Sequence, residues 1–186
     1  MKQAIATVRI GLNKALLKIK TLLYKMSGGK CCKSMFLLAV KTPELTTDVE
    51  IISENAEEVN IAKTDGQGNI KNEGFRILTT TDLHLKDTPE LRNKTIQMLV
   101  SQAERVKPDL IILTGDIILS KYQPLDCEQF AQLMEKLGIY WTIVFGNHEG
   151  AEEKGMFKYL MLETVRRHPH CLVRFGSKEL FGYGNH

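Results

Sequence analysis

The first 43 residues contain no acidic side chain, although nine lysines and arginines run from Lys2 to Lys41. The remaining chain is acidic in balance, with 16 basic against 22 acidic residues, so the overall charge of +3 conceals a basic tail on an acidic body. Attraction to anionic surfaces therefore belongs to the tail. No apolar run is long enough to cross a bilayer: lysines interrupt the stretch from Leu12 to Tyr24, and Met35 to Val40 is far too short. The same lysines spoil the apolar centre that a secretory leader needs. The four cysteines, Cys31, Cys32, Cys127 and Cys171, show neither Cys-x-x-Cys spacing nor a zinc pattern with histidine. Adjacent Cys31 and Cys32 read either as a lipidated turn near a membrane or as ordinary thiols, and a reducing, intracellular compartment fits best. Two further absences narrow the chemistry. Gly28-Gly29-Lys30 lacks the earlier glycine of a P-loop and runs into Cys31, and no Gly-x-Ser-x-Gly elbow occurs.

What is present suits one sizeable hydrophobic core: 186 residues, 43% hydrophobic and 25% charged. Ile5, Val8, Leu12, Leu16, Ile19 and Leu23 recur at three- and four-residue spacings, predicting a basic amphipathic helix over residues 4–25. Such a helix either packs on the body or a partner subunit, or lies on an anionic membrane surface with its lysines towards the headgroups. The division expected is a basic extension over residues 1–43, a connecting segment and linker over 44–74, and a folded domain over 75–186. The linker reading rests on Lys63–Gly74, rich in glycine, asparagine and charge.

From Phe75 onward, short apolar runs alternate with helical periodicity. Phe75–Thr80, Leu110–Thr114, Trp141–Phe145 and Cys171–Phe175 read as strands. Between them, Ile96, Leu99, Ala103 and Val106 mark one helix, with Thr88-Pro89 as its start and Lys107-Pro108 as its end. Phe130, Leu133, Met134 and Leu137 mark a second helix, stopped by Gly138, and Met156, Leu160, Met161 and Val165 a third. The alternation predicts an α/β fold with a largely parallel sheet.

In open α/β sheets, ligands bind beyond the carboxyl ends of the strands. Asp82-Leu83-His84 follows the first strand, Gly115-Asp116 the second, and Gly146-Asn147-His148-Glu149 the third. In extended backbone, residues two apart face the same side, so Asp82 and His84 can grip one ion while Leu83 points away. Gly115 and Gly146 permit tight turns that present Asp116 and Asn147. A donor set of carboxylate, imidazole and amide oxygen suits Mn, Fe or Zn. A lone Asp after a strand is more often a cap or turn residue. Three such clusters after three successive strands favour a site.

Together these blocks resemble the signature of the calcineurin-like metallophosphoesterases: Asp-x-His, then Gly-Asp, then Gly-Asn-His-(Asp/Glu), covering roughly Phe75 to His186. The text around them, PDLIILTGD and the aromatic approach to FGNHE, looks most like the branch related to purple acid phosphatases. Leu119 stands where the purple enzymes carry their tyrosine, so a tyrosinate-ligated ferric ion is not implied. The resemblance implies the N-terminal half of a four-layer α-β-β-α sandwich, preceded by the basic helix. It also implies a metal-dependent phosphoester hydrolase, a phosphatase or phosphodiesterase, working through a metal-activated hydroxide at a binuclear site. Asp82 and His84 would then bind one metal, Asp116 bridge both, and Asn147 bind the second. His148 would donate the leaving-group proton and Glu149 orient its ring. The family's later histidine blocks have no counterpart here, since only His168, His170 and His186 follow His148. A fragment of a longer enzyme is therefore expected, with low turnover of its own. The alternative is a non-catalytic half-domain that binds a membrane or partner. The acidic body gives no specific support for nucleic acid. A cytoplasmic location is expected, peripheral to the membrane if the helix lies on it.

Overall fold

The computed structural model describes residues 40–55, 58–86, 88–120, 123–149 and 156–174. The expected helix over 4–25 and most of the basic extension lie outside them.

The body is built from β-α-β units. Strand β3 (Ile77–Thr80) leads into helix α1 (Pro89–Val106), strand β4 (Leu110–Leu113), helix α2 (Gln123–Leu137), strand β5 (Tyr140–Ile143) and helix α3 (Met156–Val165). The strands pair in parallel in the order β3-β4-β5, with Ile77 opposite Leu110 and Leu110 opposite Tyr140. Parallel strands need crossover connections, and α1 and α2 supply them.

Strand alternation decides which face is buried. Ile111, Leu113, Trp141 and Ile143 point one way and are nearly or wholly buried, in one cluster with Ile96, Leu99 and Ala103 of α1 and Phe130, Met134 and Leu137 of α2. Residues at one-position offsets line the other face, where Ile77 is 52% exposed and Thr79 is exposed. A helix layer thus covers one side of the sheet, as βαβ packing requires. The buried Phe130 and Trp141 rings meet edge-on, with centroids 6.3 Å apart.

Local chemistry sets the helix ends. Thr88 is extended and Pro89 opens α1, but the Thr88 hydroxyl makes no capping bond. Instead its carbonyl accepts from Arg92 N at 3.1 Å. Lys107 closes the helix in the left-handed region (φ 47°) with its N–H on Ala103 O, and Pro108 prevents continuation. The fourth strand expected over Cys171–Phe175 is reduced to a single parallel bridge between Cys171 and Trp141, and residues from 175 onward lie outside the described part.

The segment before the sheet is more structured than its polar texture suggests. Strands β1 (Val49–Glu54) and β2 (Val59–Lys63) pair antiparallel, and a Thr64–Ile70 bridge closes the loop beyond them. Asp65 organises that loop by accepting from the N–H groups of Gln67 and Asn69. Lys63 fastens it to the body through a buried pair with Asp109 (3.2 Å) and a bond to Gly74 O.

Candidate metal centre

The loops after β3, β4 and β5 meet at the carboxyl end of the sheet. The first two are stitched together by Asp82 N to Gly115 O (3.0 Å), His84 N to Asp116 O (3.0 Å) and Leu85 N to Ile117 O (2.8 Å). This stitching changes the backbone from the extended form expected at Asp82-Leu83-His84. Asp82 (φ 53°), His84 (φ 44°) and Asp116 (φ 53°) all adopt left-handed conformations. Each such non-glycine residue costs about 1–2 kcal/mol, and strain of this kind collects at functional sites. Even so, Asp82 and His84 converge, with Oδ1 and Nε2 3.5 Å apart.

Two glycines let the second and third loops touch. A Cβ on Gly115 would stand 3.1 Å from the Gly146 backbone. A Cβ on Gly146 would fall 2.0 Å from Asp116 Oδ1 and 2.6 Å from Asp116 N. Gly146 is therefore required for close approach to Asp116; it is absent from the positive-φ glycines, whereas Gly115 (φ 105°) is among them.

Asp116 Oδ1 accepts from His148 N at 3.0 Å, and its Oδ2 lies 3.9 Å from His84 Nε2. The rings of His84 and His148 meet edge-on at 5.2 Å. One ligand atom from each of His84, Asp116 and His148 can be chosen so that all lie within 4.8 Å of one another. Donors around one tetrahedral ion at bonds of about 2.1 Å stand about 3.4 Å apart, so small side-chain rotations would close this triad. His84 Nε2 is buried without a hydrogen-bond partner, which is costly unless something else satisfies it. A cation between that nitrogen and the two carboxylates would do so, and the donor set fits Mn, Fe or Zn.

The other expected residues are placed differently. Asp82 is at the rim, its side chain 59% exposed and its Oδ2 accepting from the Thr81 hydroxyl. Asn147 is exposed. The Glu149 carboxylate is fully buried and turned to the backbone, accepting from Asp116 N (3.0 Å), Ile118 N (2.8 Å) and Gly146 N (2.7 Å). Its hydrogen bonds among the described residues are to these amides and not to the His148 ring. Glu149 thereby fixes the two loops that carry Asp116 and His148. The spacing showed neither this role nor that of His148 as a member of the triad. His168 and His170 stand away from the centre, against Glu128 (3.4 Å) and Glu135 (2.8 Å) of α2.

Residues 75–186 match the sequence model of the family described as calcineurin-like phosphoesterase. The chain is 34% identical over 77 residues to an uncharacterised metallophosphoesterase of Aquifex aeolicus, covering 40% of this chain and 28% of that protein. It is 30% identical over 91 residues to a transmembrane protein with a metallophosphoesterase domain from Danio rerio, covering 47% and 20% respectively. The uncharacterised metallophosphoesterase YkuE of Bacillus subtilis is 32% identical over 93 residues, covering 48% and 32%. The matched spans thus make up about a fifth to a third of these relatives. No solved structure shows a significant match. The family match extends over more than half of the chain and takes in all three loops of the metal centre, so this chain belongs to the calcineurin-like phosphoesterase family.

Proposed function

We propose that the chain carries part of the site of a metal-dependent phosphoester hydrolase. The observation behind this reading is His84 Nε2, buried and unpartnered, facing the carboxylates of Asp82 and Asp116 with His148 alongside. Asp82, His84, Asp116 and Asn147 would hold two ions (Mn, Fe or Zn), with Asp116 shared between them. Ions bound there supply Lewis-acid polarisation of a phosphoryl oxygen and a nucleophile drawn from water at neutral pH. The chain's own work is positioning. Asp116 Oδ1 ties down the His148 backbone, and the imidazole, edge-on to the His84 ring, would hold a proton for the departing oxygen. Glu149 keeps the second and third loops together beneath it.

The text around the blocks supports the branch related to purple acid phosphatases, while Leu119 argues against a tyrosinate-ligated iron. A cytoplasmic protein with peripheral membrane contact through residues 4–25 is the matching placement. Its support is the basic charge of that segment and one relative described as a transmembrane protein. Among the described residues no helix is long and apolar enough to cross a membrane.

The test is hydrolysis of p-nitrophenyl phosphate and its bis-ester with added Mn²⁺, Fe²⁺ or Zn²⁺, comparing the chain with Asp116→Asn. Metal-dependent turnover lost in the variant supports the proposal, and metal-dependent turnover retained undiminished in the variant refutes it. The position of His148 within the triad favours a second role, as a ligand. His148→Gln that keeps metal affinity but loses turnover marks a proton donor, whereas lost affinity marks a ligand.

A further inference from the structure

The first turn of α2 reaches the second and third loops, and Arg92 of α1 reaches the first. Gln123 is 6% exposed, and its Nε2 donates to Ile118 O (3.2 Å) in the second loop and to His148 O (2.7 Å) in the third. Asp126 lies three positions on, hence on the same helix face, and is fully buried. It accepts from the Ser120 hydroxyl of the second loop and pairs with Arg92 of α1, whose Nη2 lies 3.3 Å from Oδ2. Arg92, also fully buried at its side chain, donates from Nε to Lys86 O at 2.7 Å, at the end of the first loop.

We propose that Gln123, Asp126 and Arg92 form a brace that holds the three loops in the register the metal centre requires, which makes them positioning residues. The proposal rests on the reading of this rim as a metal site. A buried ion pair is a poor device for stability alone, because apolar side chains of similar volume often serve as well or better. An apolar pair cannot direct bonds at Lys86 O and at Ser120. The charged pair can: the planar guanidinium donates to Lys86 O at a fixed angle, while the Asp126 carboxylate accepts from the Ser120 hydroxyl. The residues being held are the left-handed Asp82, His84 and Asp116, which stay in a sparsely populated conformation only while their surroundings over-determine it. Buried partners behind a metal centre typically change metal affinity by about 10- to 100-fold when removed.

Removing one member of the pair would strand a buried charge and put folding at risk, so the main variant is the double substitution Arg92→Met/Asp126→Leu. Gln123→Met tests the third loop separately. The brace itself is read in the metal-free protein by residue-resolved amide exchange. In the double variant, the amides of Asp82 and His84 should exchange at least about tenfold faster, while those of Ile111 and Trp141 in the strands keep their wild-type rates. In Gln123→Met the affected amide should be that of His148, which is bonded to Asp116 Oδ1. Unchanged loop amides in folded variants, or acceleration spread evenly over loops and strands, would overturn the brace. Co²⁺ titration then separates the two readings. Affinity about tenfold or more weaker in the variants supports the brace, and wild-type affinity in them overturns it. Failure of the wild-type chain to bind Co²⁺ refutes the proposed function, while the amide exchange still decides the brace.

Discussion

The two ends of the parallel sheet handle buried polar groups in opposite ways. At the amino end, Asp109 is 4% exposed and accepts from Arg76 N at 2.6 Å while pairing with Lys63. Nearby, Glu135 receives the Trp141 indole N–H and the backbone and ring of His170. The chain from Val40 to Thr47 is stitched over this end by Leu45 N to Leu137 O, beside a cavity of 590 Å³ lined in part by Glu44, Lys136 and Tyr140. At the carboxyl end, one carboxylate occupies three backbone amides, three residues sit in left-handed strain, and an imidazole nitrogen makes no hydrogen bond. Paired polar groups mark the first end and an unsatisfied donor set the second. Complementary pairs hold a fold together, whereas an unmet donor set waits for something to bind. A hollow alone is therefore a weaker guide to function than an unmet donor set.

The sharpest way to break this contrast is Gly146→Ala. Its Cβ would overlap Asp116 Oδ1 and the Asp116 amide, so Asp116 must move. Metal affinity is expected to fall by up to about 100-fold, with a loss of about 1–3 kcal/mol from overpacking. Calorimetric Mn²⁺ titration and thermal melting check the two effects. Glu149→Gln follows. An amide has one acceptor oxygen for three N–H donors and turns its own N–H₂ towards one of them. About 3 kcal/mol of stability should be lost, because hydrogen bonds to a charged acceptor contribute about 1.5–3 kcal/mol each. Denaturant unfolding measures it.

Lys63→Met perturbs the amino end alone. Breaking that buried pair is expected to cost about 2–3 kcal/mol, with the remaining Arg76 contacts easing the loss. Metal affinity should stay within about twofold, since mutations far apart with no shared partners act independently. A parallel fall in affinity would show the two ends to be coupled.

The smallest effect concerns Glu128. Burial pushes its carboxyl up, but bonds from His168 and Gln132 together with nearby positive charge outweigh burial and hold it below the usual range. A lowered folded-state value stabilises the protein above the ordinary carboxylate range, and the benefit disappears as pH falls through the lowered value. Glu128→Gln should therefore cost less than about 1 kcal/mol near pH 6 and progressively less in acid. Melting curves across that range would show it.

The order of strands and helices from Phe75 was legible because it depends on local periodicity. Three short apolar runs, separated by helical stripes and closed by Pro108 and Gly138, leave few other arrangements. The hairpin at Val49–Lys63 was hidden: its strands are short and polar, and Lys63 is buried only because Asp109 arrives from a distant segment. At the centre, placement after successive strands pointed to the three clusters that hold Asp82 and His84, Asp116, and Asn147, His148 and Glu149, but not to His148 in the triad in place of Asn147. The left-handed backbone was not visible, since it follows from the stitching between loops. Nor was the inward turn of Glu149, which needs three amides brought from two loops. Arg92 and Asp126 did leave a trace. Each begins an apolar helical stripe, Arg92 before Ile96 and Leu99, and Asp126 before Phe130 and Leu133. A single opposite charge on each of two core-facing stripes signals a buried pair.

The measurement that bears most directly on the centre is Co²⁺ titration followed by visible absorption, on the wild-type chain and on Asp116→Asn. Saturable binding with d–d bands characteristic of nitrogen and oxygen ligands, lost in the variant, is the expected result. No binding by the wild-type chain, or the same spectrum and affinity in both proteins, would contradict a metal centre at this rim.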